Sequence, residues 1–271
     1  MTSRSDRFIS HRSFLPSCLA VIVLLAFSSA ALAGPGGPPA ELPALGFRIN
    51  DHAQGGPPPD LMPPGLEIAA GRFQFKGEKS QSQAPNGGRW RVEWDIDVSP
   101  DPFIFADLIV TNNMPVDQEF TFNIELPISP SLSGGTLIGG SFSGVLKDRN
   151  AGSATLSVLD GANPPALYTA LIDGNVVQTL FDNPDPITVA MPFETVTFGP
   201  ENFGTPIPSL AGPDEANATI GITINVKVSA MDSVNLSGSF VVQPVPEPST
   251  IVLCISAVVG LVAFGRRRRM R

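Results

Sequence analysis

The sequence predicts an all-β domain, folded as a sandwich of two mainly antiparallel sheets, and one C-terminal transmembrane helix after it. Three observations predict this fold class. Apolar residues recur at alternate positions through much of the chain, and no sustained i, i+3, i+4, i+7 pattern occurs between residues 66 and 243. Pro or Gly also recurs about every 8–12 residues, as expected for many short strands. A jelly-roll topology and an immunoglobulin-like topology both fit this pattern.

The first 33 residues are typical of a secretory signal peptide. Three arginines form a positive n-region, an apolar stretch is centred on residues 19–27, and Ala31-Leu32-Ala33 is a small-x-small cleavage site. We therefore expect signal peptidase to cleave after Ala33, which directs the remaining chain out of the cytoplasm.

Residues 34–65 are rich in Pro and Gly. Pro fixes φ and removes a backbone donor, so this segment is expected to form an extended spacer or a loosely attached arm. Residues 45–49 could add one short edge strand. The sandwich domain is predicted to cover residues 66–243.

The clearest strand near the start of the domain is predicted over residues 89–98. Its apolar side chains, which include Trp90 and Trp94, alternate with charged ones, which include Asp95 and Asp97. This alternation indicates a half-buried strand with a charged solvent face. Further strands are predicted at 103–111, 120–126, 136–138, 142–146, 154–159, 166–172, 176–181, 187–191 and 194–198.

Two hairpins are predicted in the second half of the domain. Asp173-Gly174 is a hairpin-type dipeptide that joins residues 167–172 to 176–181. The strongest period-two pattern covers residues 218–228 and continues, after a turn at Met231-Asp232, through 234–242. We expect these last two segments to pair as a long hairpin.

Charge and cysteine content restrict the function classes. Between Gly34 and Val245 the chain has nine basic and 23 acidic residues, a formal net charge of −14. Such a domain repels phosphate backbones, which argues against nucleic-acid binding, and suits an exported protein or one that collects Ca²⁺. The two cysteines, Cys18 and Cys254, lie in the signal peptide and in the C-terminal apolar run, so the domain is expected to fold without disulfides.

The C-terminal segment, residues 244–271, has three parts in a fixed order. Pro246-Glu247-Pro248 comes first, the uncharged apolar run 251–264 follows, and five arginines occupy the last six positions. As a helix, the run 251–264 would be about 21 Å long, and with its flanking small residues, 249–265, about 26 Å, at or just below the thickness of a bilayer core. The positive-inside rule places Arg266, Arg267, Arg268 and Arg269 in the cytoplasm.

This order closely resembles the PEP-CTERM sorting signal of bacterial exported proteins. The resemblance rests on Pro246, Glu247 and Pro248, the apolar run and the arginine cluster, which together make up about the last tenth of the chain. It implies recognition by an exosortase, a membrane-embedded enzyme similar to cysteine transpeptidases, with processing near the Pro-Glu-Pro. It also implies an envelope rich in exopolysaccharide.

The domain offers few candidate catalytic residues. Catalysis by a Ser/His/Asp or Cys/His arrangement needs a base that titrates near neutrality, and His52 is the single histidine after the signal peptide. Asp95, Asp97 and Asp101 provide hard oxygen ligands that could hold Ca²⁺, although an acidic solvent face is the simpler interpretation. Trp90 and Trp94 share a strand face and form either part of the core or a sugar-stacking platform; the apolar neighbours on that face favour the core.

These observations predict a non-enzymatic exported protein without a required cofactor. It is expected to be tethered to the inner membrane with a cytoplasmic C-terminus, and to reach the cell surface or extracellular matrix after exosortase processing. A carbohydrate-binding module for exopolysaccharide is the first alternative. A polysaccharide hydrolase that uses two carboxylates is the second, and would need them about 5–10 Å apart in a groove.

Overall fold

The computed structural model describes residues 42–52, 60–61, 65–81, 89–99, 101–245 and 255–258. The predicted signal peptide, 1–33, lies outside these residues. Within them the chain is almost entirely β, which confirms the all-β prediction. The sixteen strands of the described residues are β1 (Gly46–Asp51), β2 (Asp60–Leu61), β3 (Gly65–Ala69), β4 (Arg72–Gln81), β5 (Trp90–Ser99), β6 (Phe103–Asn112), β7 (Gln118–Pro127), β8 (Thr136–Lys147), β9 (Ala154–Ser157), β10 (Ala166–Ile172), β11 (Asn175–Asp182), β12 (Ile187–Val189), β13 (Thr195–Phe203), β14 (Leu210–Ala211), β15 (Thr219–Val228) and β16 (Ser233–Pro244).

The strands form two antiparallel sheets of eight strands each. Sheet A has the order β11-β10-β15-β7-β1-β2, with β9 beside one end of β15 and β12 beyond β9. Sheet B has the order β13-β8-β16-β6-β5-β4-β3, with the short β14 also on β8. An immunoglobulin-like sandwich has seven to nine strands in all, so this molecule is larger than that arrangement.

One hydrophobic core lies between the two sheets. The central strands of both sheets contribute apolar side chains at alternate positions, among them Phe122 of β7, Ile224 of β15 and Phe240 of β16, all fully buried. Each such side chain stabilises the fold by about 1.5–3 kcal/mol relative to an exposed one. The alternation predicted for residues 89–98 is confirmed in β5, whose apolar side chains face this core.

The Pro/Gly-rich segment 34–65 is more closely integrated than a loose arm. Its residues Gly46–Asp51 form β1, which pairs along its whole length with β7 and on its other side with β2. Phe47 and Ile49 are buried at 0% and 2% exposure. The folded domain therefore begins before the predicted boundary at residue 66, because this short strand supplies core side chains that composition alone does not reveal.

The predicted long hairpin at the end of the domain is wrong. β15 belongs to sheet A and pairs with β7 and β10, whereas β16 belongs to sheet B and pairs with β6 and β8. The connection through Met231, whose φ is 64°, crosses from one sheet to the other. Both strands have strong apolar faces, and crossing lets these faces cover the core from opposite sides. The Asp173-Gly174 hairpin between β10 and β11 is confirmed.

Two segments predicted as separate strands, 136–138 and 142–146, form the single strand β8. The glycines between them do not break it, and Gly140 faces the aromatic ring of Phe203 on β13. A Cβ added at Gly140 would lie 2.5 Å from the carbonyl oxygen of Ser239 and 2.7 Å from the ring of Phe203. The glycine is required here because two neighbouring strands approach this position closely.

The predicted transmembrane helix at 249–265 falls mostly outside the described residues. Residues 255–258 are helical, with Ile255 and Val258 more than half exposed. Among the residues that the structure describes, no helix is both long enough and apolar enough to span a bilayer.

Candidate functional sites

The sorting segment follows directly on a central strand of the sandwich. β16 lies between β8 and β6 and ends at Pro244. Val245 is held against the domain, because its backbone N–H donates to the carbonyl oxygen of Gly135 at 3.0 Å. Pro246, Glu247 and Pro248 come next in the chain and, like Arg266–Arg269, lie outside the described residues. The sequence thus places the Pro-Glu-Pro one residue beyond the last paired strand.

The predicted carboxylates Asp95 and Asp97 lie on the outer face of sheet B. Asp95 is opposite Asp107 of β6 in the strand register. Lys76 contacts Asp95 at 2.9 Å and Arg72 contacts Asp97 at 2.5 Å, both from β4. Asp107 accepts a hydrogen bond from the hydroxyl of Ser237 on β16. The acidic face is therefore largely matched by cations and donors on the neighbouring strands.

The three predicted calcium ligands do not form one site. Asp95 and Asp97 share the strand face, but Asp101 is exposed in the turn that precedes β6. Within the described ranges, no group of three His, Cys, Asp or Glu side chains is placed to hold a metal ion. The physical reason is that the two strand carboxylates already pair with basic side chains, while the third belongs to a turn.

The two tryptophans of β5 are part of the core. Trp90 is 4% exposed and Trp94 is 8% exposed, so neither can form a sugar-stacking platform on the surface. Trp90 packs edge-to-face against Phe120, and Trp94 packs in the same way against Phe47. The Trp90 indole Nε1–H donates to Asp51 Oδ2 at 2.7 Å in a buried hydrogen bond.

A polar surface that was not among the predicted sites lies on the outer face of sheet A. It consists of a row Asn50–Thr121–Asn225 across β1, β7 and β15, and of the neighbouring pair Asn123–Thr223. The Thr121 hydroxyl donates to Asn225 Oδ1 at 2.8 Å, and the Thr223 hydroxyl donates to Asn123 Oδ1 at 2.9 Å. We call these five residues the polar face of sheet A. It presents neutral hydrogen-bonding groups in a fixed arrangement.

An open cleft of about 520 Å³ adjoins the polar face of sheet A. It is lined by His52, Val116, Asp117, Glu119 and Lys227. His52 Nε2 lies 3.0 Å from Thr121 Oγ1, and Lys227 Nζ lies 2.8 Å from Asp160 and 3.3 Å from Glu119.

The electrostatics of the cleft are set by the lysine. The hydrogen bond to Asp160 raises the pKa of Lys227 above its ordinary value, partial burial lowers it, and Glu119 raises it further. Lys227 therefore stays charged and paired near neutral pH. The cleft combines an imidazole with a lysine that is paired with two carboxylates, and these groups can form hydrogen bonds with a polar ligand.

Sequence reasoning missed this cleft because its residues come from distant segments. His52 follows β1 in the Pro/Gly-rich segment, Glu119 lies on β7 and Lys227 lies on β15. Their proximity depends on β1 pairing with β7, and a short strand in a Pro-rich context gives no sequence signal for its partner. The mostly polar residues at the odd positions of β7 and β15, among them Thr121, Asn123 and Asn225, were the available signal for the polar face itself.

The fold and the C-terminal segment together define an all-β domain joined without a spacer to a tail of Pro-Glu-Pro, apolar run and arginines. A family model for the PEP-CTERM protein-sorting motif matches residues 244–269. The chain therefore carries a PEP-CTERM sorting motif, and the resemblance noted in the sequence is confirmed. No curated protein matches the chain.

Among solved structures, one similarity is to a carbohydrate-binding module, TmCBM61, in complex with beta-1,4-galactotriose. The match has 14% sequence identity and covers 58% of this chain and 88% of that one, with a TM-score of 0.22. At that score the similarity transfers neither a topology nor a ligand to this protein.

Proposed function

We propose that the protein is a non-enzymatic exported protein whose β-sandwich is delivered to the cell surface or extracellular matrix by its PEP-CTERM tail. Signal peptidase removes residues 1–33, the apolar run tethers the chain in the inner membrane, and an exosortase processes the tail near Pro246–Pro248. The observation that carries this proposal is the sorting motif at 244–269, attached directly to a folded domain.

The composition of the domain supports export to an aqueous surface. A net charge of −14 between Gly34 and Val245 favours solubility and disfavours contact with nucleic acid. The domain has no cysteine and is stabilised by the core between its two sheets, so its folding does not depend on an oxidising compartment.

The surfaces described above support a binding or structural role. His52 is exposed and lies beside a threonine hydroxyl, not beside a nucleophile with a second base. Three carboxylates on the outer face of sheet B already have a partner: Asp95 pairs with Lys76, Asp97 pairs with Arg72, and Asp107 accepts a hydrogen bond from Ser237.

The test measures the processing and the membrane location of variants in an exosortase-containing host. We expect combined Pro246→Ala, Glu247→Ala and Pro248→Ala substitution to leave an unprocessed chain in the inner-membrane fraction. Substitution of Arg266–Arg269 by Ala is expected to reduce membrane retention before processing. Gln243→Ala, an exposed change at the end of β16, serves as the control. Unchanged processing and location in the triple variant would contradict the proposal.

A second candidate function is binding of a carbohydrate on the polar face of sheet A. The specific observation is the row Asn50–Thr121–Asn225, in which the buried Asn225 holds the Thr121 hydroxyl and the half-buried Asn50 and Thr121 remain accessible. Amide and hydroxyl groups both donate to and accept from sugar hydroxyls. The ligand class is a neutral or hydroxyl-rich exopolysaccharide, since the groups in this row are uncharged.

Binding of the full-length chain to host exopolysaccharide would be measured by calorimetry. We expect Asn123→Ala to weaken binding about tenfold, which corresponds to one or two lost hydrogen bonds. Asn235→Ala on the exposed outer face of sheet B is the matched control. Equal affinities of both variants and the original chain would exclude this face as the binding surface.

A further inference from the structure

A buried acidic cluster lies at the end of the sandwich opposite the tail. Asp148 directly follows β8, and Asp232 lies in the connection that crosses from β15 to β16. Both residues are fully buried, at 0% exposure. Ionised carboxylates in such positions are rare unless they are paired with a cation or coordinate a metal ion.

Both carboxylates accept hydrogen bonds from the segment Arg149–Asn150. Asp232 Oδ1 accepts from Arg149 N and Asn150 Nδ2, both at 3.1 Å, and its Oδ2 accepts from the Ser229 hydroxyl at 2.6 Å. Asp148 Oδ1 accepts from Asn150 N at 2.8 Å. The backbone and the side chain of Asn150 therefore link one carboxylate to the other.

One oxygen of the cluster has no partner. Asp148 Oδ2 is buried and accepts no hydrogen bond. Within the part of the chain that the structure describes, no basic side chain forms an ion pair with Asp148 or Asp232. The guanidinium of Arg149, the residue that follows Asp148, donates instead to Asn113 Oδ1 at 3.1 Å. Two buried carboxylates thus lack a counter-charge, which is strongly unfavourable without a cation.

We propose that Asp148 and Asp232 hold a Ca²⁺ ion. The unpartnered Asp148 Oδ2 and the Asp232 carboxylate supply the charge. The carbonyl oxygen of Ala230, which accepts from Asn150 Nδ2 at 3.0 Å, supplies a neutral oxygen nearby. Ca²⁺ fits better than Mg²⁺, because it accepts carbonyl oxygens and irregular geometry at coordination numbers of 6–8.

The affinity follows from the small number of charged ligands. With two carboxylates the dissociation constant should fall in the range of about 10⁻⁴–10⁻³ M, typical of extracellular modules. Such a site is filled in a calcium-containing exterior and empty in the cytoplasm. Binding would fasten the crossing between the two sheets, since Asp232 lies in that connection.

Thermal unfolding of the full-length chain in CaCl₂, MgCl₂ or EDTA tests the site. At ten times the dissociation constant, Ca²⁺ is expected to raise Tm by about 3–6 °C over EDTA, with a smaller effect of Mg²⁺. No rise in Tm and no heat of binding with Ca²⁺ would overturn the proposal.

Two variants are expected to change the Ca²⁺ affinity in opposite directions. Asp148→Asn should weaken Ca²⁺ binding at least tenfold and leave Tm in EDTA equal to or above that of the original chain, because a buried charge is removed. Asn150→Asp adds a carboxylate, so it should strengthen Ca²⁺ binding and lower Tm in EDTA. The control is Asp185→Asn, an exposed carboxylate in the loop before β12. A full calcium response in Asp148→Asn, or no gain in Asn150→Asp, would contradict the assignment.

Discussion

Two buried tryptophans on β5 differ in how their indole N–H groups are satisfied. Trp90 Nε1 donates to Asp51, whereas Trp94 Nε1 is buried and has no acceptor among the described residues. Replacing Trp90 by Phe removes the hydrogen bond to Asp51, whereas replacing Trp94 by Phe removes a buried N–H group that has no acceptor. The two positions therefore test the value of a hydrogen bond at similar burial.

We expect Trp90→Phe to lower the free energy of unfolding by about 2–3 kcal/mol, as for a hydrogen bond to a charged group. Trp94→Phe should lower it by about 1 kcal/mol or less, since the ring volume lost is partly offset by loss of an unpaired donor. Guanidinium denaturation of both variants measures the difference. Equal losses would show that packing, not the hydrogen bond to Asp51, dominates at Trp90.

Asp173 stabilises the turn that enters β15 through its charge. Burial raises the pKa of its carboxyl, but the backbone N–H groups of Asn217, Thr219 and Ala218, at 2.7–2.9 Å, lower it so that the pKa is below the ordinary value. A group with a lowered pKa stabilises the fold above its unfolded pKa, and this contribution is lost as pH falls through the folded pKa.

We therefore expect Asp173→Asn to lower stability at neutral pH by about 1 kcal/mol, a modest value because the carboxyl is partly exposed. Asn tolerates the positive φ of this position, so the backbone is not strained by the change. The difference from the original chain should shrink as pH falls below the ordinary carboxyl pKa. A difference that stays constant over that range in thermal unfolding would exclude the charge as its cause.

At the scale of elements, β1 decides whether the Pro/Gly-rich segment belongs to the domain. Phe47 is fully buried against Trp94, whereas Leu42, five residues earlier, is 54% exposed. We expect Phe47→Ala to lower the free energy of unfolding by about 3–5 kcal/mol and Leu42→Ala to change it by less than about 1 kcal/mol. Denaturant titration gives both values. A small effect at Phe47 would show that the segment is dispensable to the fold.

The elements also show what the sequence could and could not specify. The alternation of β5 and the turn at Asp173-Gly174 are local patterns, and both were correctly predicted. The predicted hairpin between β15 and β16 was wrong. Two consecutive amphipathic strands give the same sequence pattern whether they pair in one sheet or cross from one sheet to the other. Local periodicity gives the buried face of a strand but does not identify the sheet to which the strand belongs.

The candidate sites also differ in whether local sequence is enough to recognise them. The sorting segment depends on contiguous residues, Pro246–Pro248 and the arginines after the apolar run, so the sequence was sufficient to recognise it. The Asp148–Asp232 cluster joins residues more than 80 positions apart through the sheet-crossing connection. Burial and a missing hydrogen-bond partner identify it, and neither quantity can be read from the sequence.

At the scale of the whole molecule, the tail and the buried acidic cluster lie at opposite ends of β16. The strand runs from Ser233, next to the cluster, to Pro244, next to the tail, over about 35 Å at 3.3 Å per residue. Four residues separate Pro244 from the predicted membrane segment at 249, a reach of at most about 14 Å. Before processing, the proposed calcium site would therefore be on the membrane-distal end of the domain.

In the proposed pathway, processing at both ends of the chain releases the folded domain. The most direct measurement is the intact mass of the protein recovered from the cell surface of an exosortase-containing host. We expect the mass of a chain that begins at Gly34 and ends near Pro246–Pro248, and expect the C-terminal segment to be retained when the exosortase is deleted. Surface protein that still contains the arginine cluster, both with and without the exosortase, would contradict release by tail processing.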